Sequence, residues 1–80
     1  MEYLALFFTQ SGAMKFFKLL KQKGIKAEMM PVPRALSSSC GIAVRLQYDG
    51  TVESLLCGDI EKLYEIDKSE YRLLFECDSR

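Results

Sequence analysis

Eighty residues, 49% hydrophobic and 28% charged, suit one small folded domain rather than a disordered chain. Eleven Lys and Arg side chains balance eleven Asp and Glu, so the basic surplus that phosphate backbones require is missing and nucleic-acid binding is not expected. The chain contains no histidine, which removes the usual general base of a serine or cysteine hydrolase.

In chain order, "EYLALFFT", residues 2 to 9, predicts a strand that is apolar on both faces, with Tyr3, Ala5 and Phe7 on one and Leu4, Leu6 and Phe8 on the other. Such a strand belongs in the centre of a sheet. Glu2 stands where a signal peptide would be positive, and the apolar run is too short for a membrane span, so a cytoplasmic protein is expected. Ser11 is placed to cap a helix running to about Lys23, with Gly24 as its stop. Ala13, Phe16, Phe17 and Leu20 follow helical spacing, with Lys15, Lys18 and Gln22 opposite them as a solvated side.

"IKAEMMPV" predicts a second strand, which Pro31 and Pro33 mark as an edge strand or its end. "RALSSSCG" forms a loop, and "GIAVRLQY" a third strand with Ile42, Val44 and Leu46 inward. After the turn "YDG", Val52, Leu55 and Leu56 predict a short helix over Thr51 to Cys57, ended by Gly58. "IEKLYEI" is a fourth strand, "DKSE" a turn, and "YRLLFEC" a fifth strand paired with the fourth. The order strand, helix, strand, strand, helix, strand predicts an α+β protein of the ferredoxin-like βαββαβ (split βαβ) type. Two helices would cover one face of an antiparallel sheet, and an extra C-terminal strand would widen it. The other face would be open, and burying it calls for a homodimer.

Three cysteines, Cys40, Cys57 and Cys77, are an odd number without paired spacing, which argues against a disulfide framework; with no histidine and no C-x-x-C pair, no metal site is expected either. Cys57 and Cys77 fit apolar filler positions. Cys40 stands instead in the polar stretch "SSSCG". A thiolate there gains from partial exposure, a nearby positive charge and hydrogen-bond donors. Gly41 permits close approach to the backbone. Ser37, Ser38 and Ser39 supply hydroxyl donors, and Arg34 lies six residues back across the loop. An ordinary solvated loop is the plainer reading of the serines, and a surface charge that of Arg34.

"PVPRALSSSCGIAVR" resembles the signature of the selenium/sulfur carrier protein-like family, whose members combine a start like "EYLALFFT", a helix, P-V-P-R, a Ser-rich loop ending in Cys-Gly and a strand like "GIAVR". The resemblance covers residues 2 to 66, leaving 67 to 80 as a C-terminal extension of a single domain. It implies that Cys40 bears the chalcogen, with Gly41, Arg34, Pro31 and Pro33 as motif partners and Ser38 and Ser39 in support.

Two functions are then expected to compete. In the first, Cys40 holds a persulfide or selenopersulfide. A donor such as a cysteine desulfurase or a selenocysteine lyase-type enzyme delivers it, and an acceptor enzyme takes it away. This needs an accessible thiolate but no general base and no cofactor, and makes the chain a carrier more than a free-standing enzyme. In the second, the loop binds an anion or peptide in a non-catalytic interaction or regulatory module, and Cys40 is incidental.

Overall fold

The computed structural model describes residues 1–34, 36, 41–50 and 60–76. Six elements follow one another: β1 (Glu2–Phe7), α1 (Gln10–Gln22), β2 (Lys26–Pro31), β3 (Ile42–Gln47), β4 (Ile60–Asp67) and β5 (Glu70–Glu76). The strands form one antiparallel sheet in the order β2-β3-β1-β4-β5. Because β3 is antiparallel to both β1 and β2 and lies between them, β1, α1 and β2 form a split βαβ unit. The fold is thus α+β, with one helix and a five-stranded sheet among the described residues. The second helix expected over Thr51 to Cys57 lies outside them.

β1 occupies the centre because its sequence leaves no polar face: Tyr3 to Phe7 are all buried. On one side Tyr3, Ala5 and Phe7 meet Val44 and Leu46 of β3, Ile60 and Leu63 of β4, and Ala13, Phe16 and Leu20 of α1. The Phe7 and Phe16 rings lie tilted at 51° with centroids 5.2 Å apart. Ile42, Val44 and Leu46 all turn to this side, as their alternation predicts.

α1 is stopped and started by different means. At its N-terminus the cap is Thr9, not Ser11: the Thr9 hydroxyl accepts from the Gly12 N–H at 3.0 Å. Ser11 is already inside the first turn, where its side chain cannot satisfy the leading amides. At the other end Gly24 adopts φ +76°, and two bonds close the helix, Gly24 N–H to the Lys21 carbonyl at 3.1 Å and Ile25 N–H to the Leu20 carbonyl at 2.9 Å. This is the Schellman closure, and Ile25 and Leu20 share the same apolar cluster, as the motif favours.

The opposite face of the sheet differs from expectation. Leu4 and Leu6 are 0% exposed within the single chain, together with Ala43. Val32 and Leu36 from the segment after β2, and Met30, Tyr64, Ile66 and Tyr71 from the strands, pack against them. Tyr64 and Tyr71 meet edge to face at 6.4 Å. An open apolar face under β1, the premise from which a homodimer was expected, is therefore absent. β5 extends the sheet beyond β4 as its alternation predicts, with a register break between Leu63 and Tyr64 that skips Leu74. The β4–β5 turn places Lys68 and Ser69 both at positive φ, the backbone of a two-residue hairpin loop.

Candidate functional site

The P-V-P-R…C-G segment is the connection between the edge strand β2 and its neighbour β3. Pro31 ends β2 opposite Ile42. One step further the Val32 N–H donates to the Gly41 carbonyl at 3.2 Å, which closes the base of the loop. The Leu36 N–H then donates to the Pro33 carbonyl at 3.0 Å, and Arg34 is exposed on a turn. Proline supplies the restricted φ before this turn. Leu36 is partly buried against the group formed by Leu4, Leu6 and Ala43, and ties the segment down onto the sheet.

Gly41 sits at φ +75°, a backbone conformation that costs an ordinary L residue about 1–2 kcal/mol. A Cβ there would have nothing within 4 Å, so glycine is required by conformation and not by crowding. Of the predicted site residues the structure therefore positions Arg34 and Gly41, at either end of the loop. Ser38, Ser39 and Cys40 lie outside the described residues, as do Ser37, Cys57 and Cys77. Leu36 escaped the sequence reading, although one apolar residue between Arg34 and three serines was a visible signal for an anchor.

A second polar feature lies on the same face as Leu4. Arg45 Nη2 donates to both Glu2 carboxylate oxygens, at 2.9 and 2.8 Å, and Gln47 Nε2 donates to one of them at 3.2 Å. The Gln47 amide and the Arg45 guanidinium hold the Glu2 carboxyl below the usual glutamate range. The period-two alternation of β1 and β3, with Glu2 paired to Gln47 and Leu4 to Arg45, puts the three on one face. Together with Glu2 and Arg45, Leu4, Met30, Ile66, Lys68, Ser69 and Tyr71 line a groove of about 350 Å³.

Among the described residues no group of three or more His, Cys, Asp or Glu side chains is gathered as metal ligands would be. No described helix is long and apolar enough to cross a membrane.

Comparison with curated proteins and with solved structures returns no match. A protein-family model, described as "Putative Se/S carrier protein-like", matches residues 2–57, a span that holds β1, α1, β2, the motif loop and β3. That is more than half of the chain, and it ends before β4. The chain belongs to this Se/S carrier protein-like family.

Proposed function

We propose that the chain carries sulfur or selenium as a persulfide or selenopersulfide on Cys40, taking it from a donor enzyme and handing it to an acceptor. The observation that supports this reading best is the build of the motif loop. Its base is closed by the Val32–Gly41 hydrogen bond, its first turn is tied down by Leu36, and glycine at a left-handed φ follows Cys40 directly. A loop held in this way can present a thiol at the rim of a rigid sheet, which is what a carrier requires.

In the loading step the Cys40 thiolate attacks the terminal sulfur of the donor's persulfide. A new S–S bond forms on Cys40, the donor's S–S bond breaks, and the donor leaves as a thiolate. The transferred atom keeps its oxidation level, so no outside oxidant or reductant enters. Unloading is the same exchange with an acceptor thiolate as the attacking group. Neither step calls on a general base, which suits a chain without histidine. Arg34 supplies positive charge, and Ser38, Ser39 and the Gly41 backbone supply donors to the anion. The donor is of cysteine desulfurase or selenocysteine lyase type, the setting is cytoplasmic, and the fold is completed in ferredoxin-like manner by a second helix between β3 and β4.

Intact-mass analysis after incubation with a cysteine desulfurase and cysteine, or with a selenocysteine lyase and selenocysteine, tests the reading. One added sulfur or selenium atom, released by a thiol reductant and absent from Cys40→Ser, is the expected result. A wild-type chain that stays unmodified beside a charged donor overturns it and favours the interaction module.

A further inference from the structure

Net neutrality conceals a region of one sign. Between Glu2 and Glu28 the sequence holds Lys15, Lys18, Lys21, Lys23 and Lys26 and no Asp or Glu. All five are exposed: Lys15, Lys18 and Lys21 on α1, Lys23 at its C-cap, and Lys26 at the start of β2, on the sheet face away from the helix. None of them makes an ion pair with a described residue, whereas on the β4–β5 hairpin Lys62 pairs with Glu76 at 4.0 Å and Arg72 with Glu65 at 3.3 Å.

Helix stability accounts for only part of this pattern: Lys21, in the last turn, suits the helix dipole and lies 5.4 Å over the Phe17 ring. Lys15, Lys18 and Lys21 are spaced by three, so they are neighbours on the helix surface and repel. No acidic side chain stands in the first turn, where the helix dipole would favour one. Met14 and Leu19 add apolar surface to the same outward side, 50% and 40% exposed. The outward side of α1 thus joins a positive field to a flexible methionine and a leucine.

We propose that this lysine face of α1 is the docking surface for the enzyme that charges the chain, and that the enzyme's contact surface carries an excess of carboxylates. The inference rests on the carrier reading and names how the donor is recognised. Leu6 pairs with Ala43, so β1 ends beside the start of β3; α1 begins at the motif-loop end of the sheet and runs away from it, with Lys15 nearest that end and Lys21 and Lys23 farther along. A partner laid along α1 therefore reaches the end that bears Gly41. A lipid surface fits less well, because a membrane-binding helix needs its apolar face free and that of α1 is spent on Phe7, Val44 and Leu46. Nucleic acid fits less well because the chain has no net basic charge and α1 bears neither an arginine nor an exposed aromatic ring.

The test compares two sulfur sources for the full chain, a persulfide-charged cysteine desulfurase and free cysteine persulfide, which needs no docking. The Lys15→Glu/Lys18→Glu/Lys21→Glu variant should load from the desulfurase about tenfold or more slowly, with unchanged loading from cysteine persulfide. The corresponding Lys→Arg triple variant should restore the rate. Wild-type transfer from the desulfurase should slow between about 0.01 M and 1 M salt, as the screening length falls from about 30 Å to about 3 Å. Enzyme-dependent loading that ignores both salt and charge reversal overturns the docking proposal and leaves Cys40 as a carrier, whereas a wild-type chain loaded by cysteine persulfide but not by the desulfurase overturns both. Failure of both sources to modify Cys40 overturns the carrier reading and the docking proposal with it. Wild-type co-sedimentation with phosphatidylserine–phosphatidylcholine vesicles, lost in the reversal variant while sulfur transfer is not, reassigns the face to lipid.

Discussion

Tyr3, Ala5 and Phe7 lie beneath α1, while Leu4 and Leu6, on the other side of the same strand, lie beneath Val32, Leu36 and the side chains of three other strands. Both sides exclude water equally well. On the first side the cover is a helix closed at both ends, to which no described residue of the motif loop contributes. On the second the cover includes the loop, so residues that secure the core also secure the segment that carries the proposed chemistry. Stability and function are separable on one face of β1 and joined on the other.

Truncation across β1 should break this comparison most forcefully if it is wrong. Phe7→Ala is expected to cost about 3–5 kcal/mol and Leu6→Ala about 2–5 kcal/mol, measured by urea denaturation. A Leu6→Ala cost below about 1 kcal/mol would mean that the loop side is not a closed core. Next in size, Gly41→Ala should destabilise by about 1–2 kcal/mol, since its cost is conformational; an unchanged denaturation midpoint would show that the left-handed backbone is not needed. On the helix side, Thr9→Ala should cost about 1 kcal/mol and Ser11→Ala very little, and the reverse order would restore Ser11 as the cap.

The smallest effect belongs to the polar end of the loop side. Glu2 has a lowered carboxyl pKa in the folded chain, so its pairing stabilises the fold at pH above the ordinary value of 4.5 and is lost as pH falls through the lowered one. Glu2→Gln should flatten that acidic part of the stability curve, read from thermal melts at stepped pH. Identical curves for the two proteins would remove the Arg45–Glu2–Gln47 group from the stability of the sheet.

The helix side was legible because α1 announces itself by spacing: Ala13, Phe16 and Leu20 recur on one face and all three are buried. The inner place of β1 followed from its two apolar faces, and the edge place of β2 from Pro31 and Pro33. Thr9 was missed because Ser11 also satisfies the composition of a cap, and only the register of the first turn separates the two. The cover over Leu4 and Leu6 was missed for a different reason. It comes from single residues in irregular segments, Val32 and Leu36, and from tyrosines on β4 and β5, none of which forms a periodic pattern. The motif was legible as residues in order. Its geometry depends on a hydrogen bond between Val32 and Gly41, nine positions apart, that no local spacing announces.

The register break at Leu74 has a consequence for how the sheet ends. A sheet of five strands presents two borders, each a template on which a strand from another molecule could add and start a fibre. On the β2 border Pro31 offers no amide hydrogen, so a row of pairing is interrupted there. On the β5 border the extra residue bends the strand and increases its twist, so an incoming segment aligned on one side of Leu74 is out of step on the other. Leu73 and Leu74 are exposed beside that bend, so among the described residues an incoming strand would meet apolar side chains there on a ladder that is out of step.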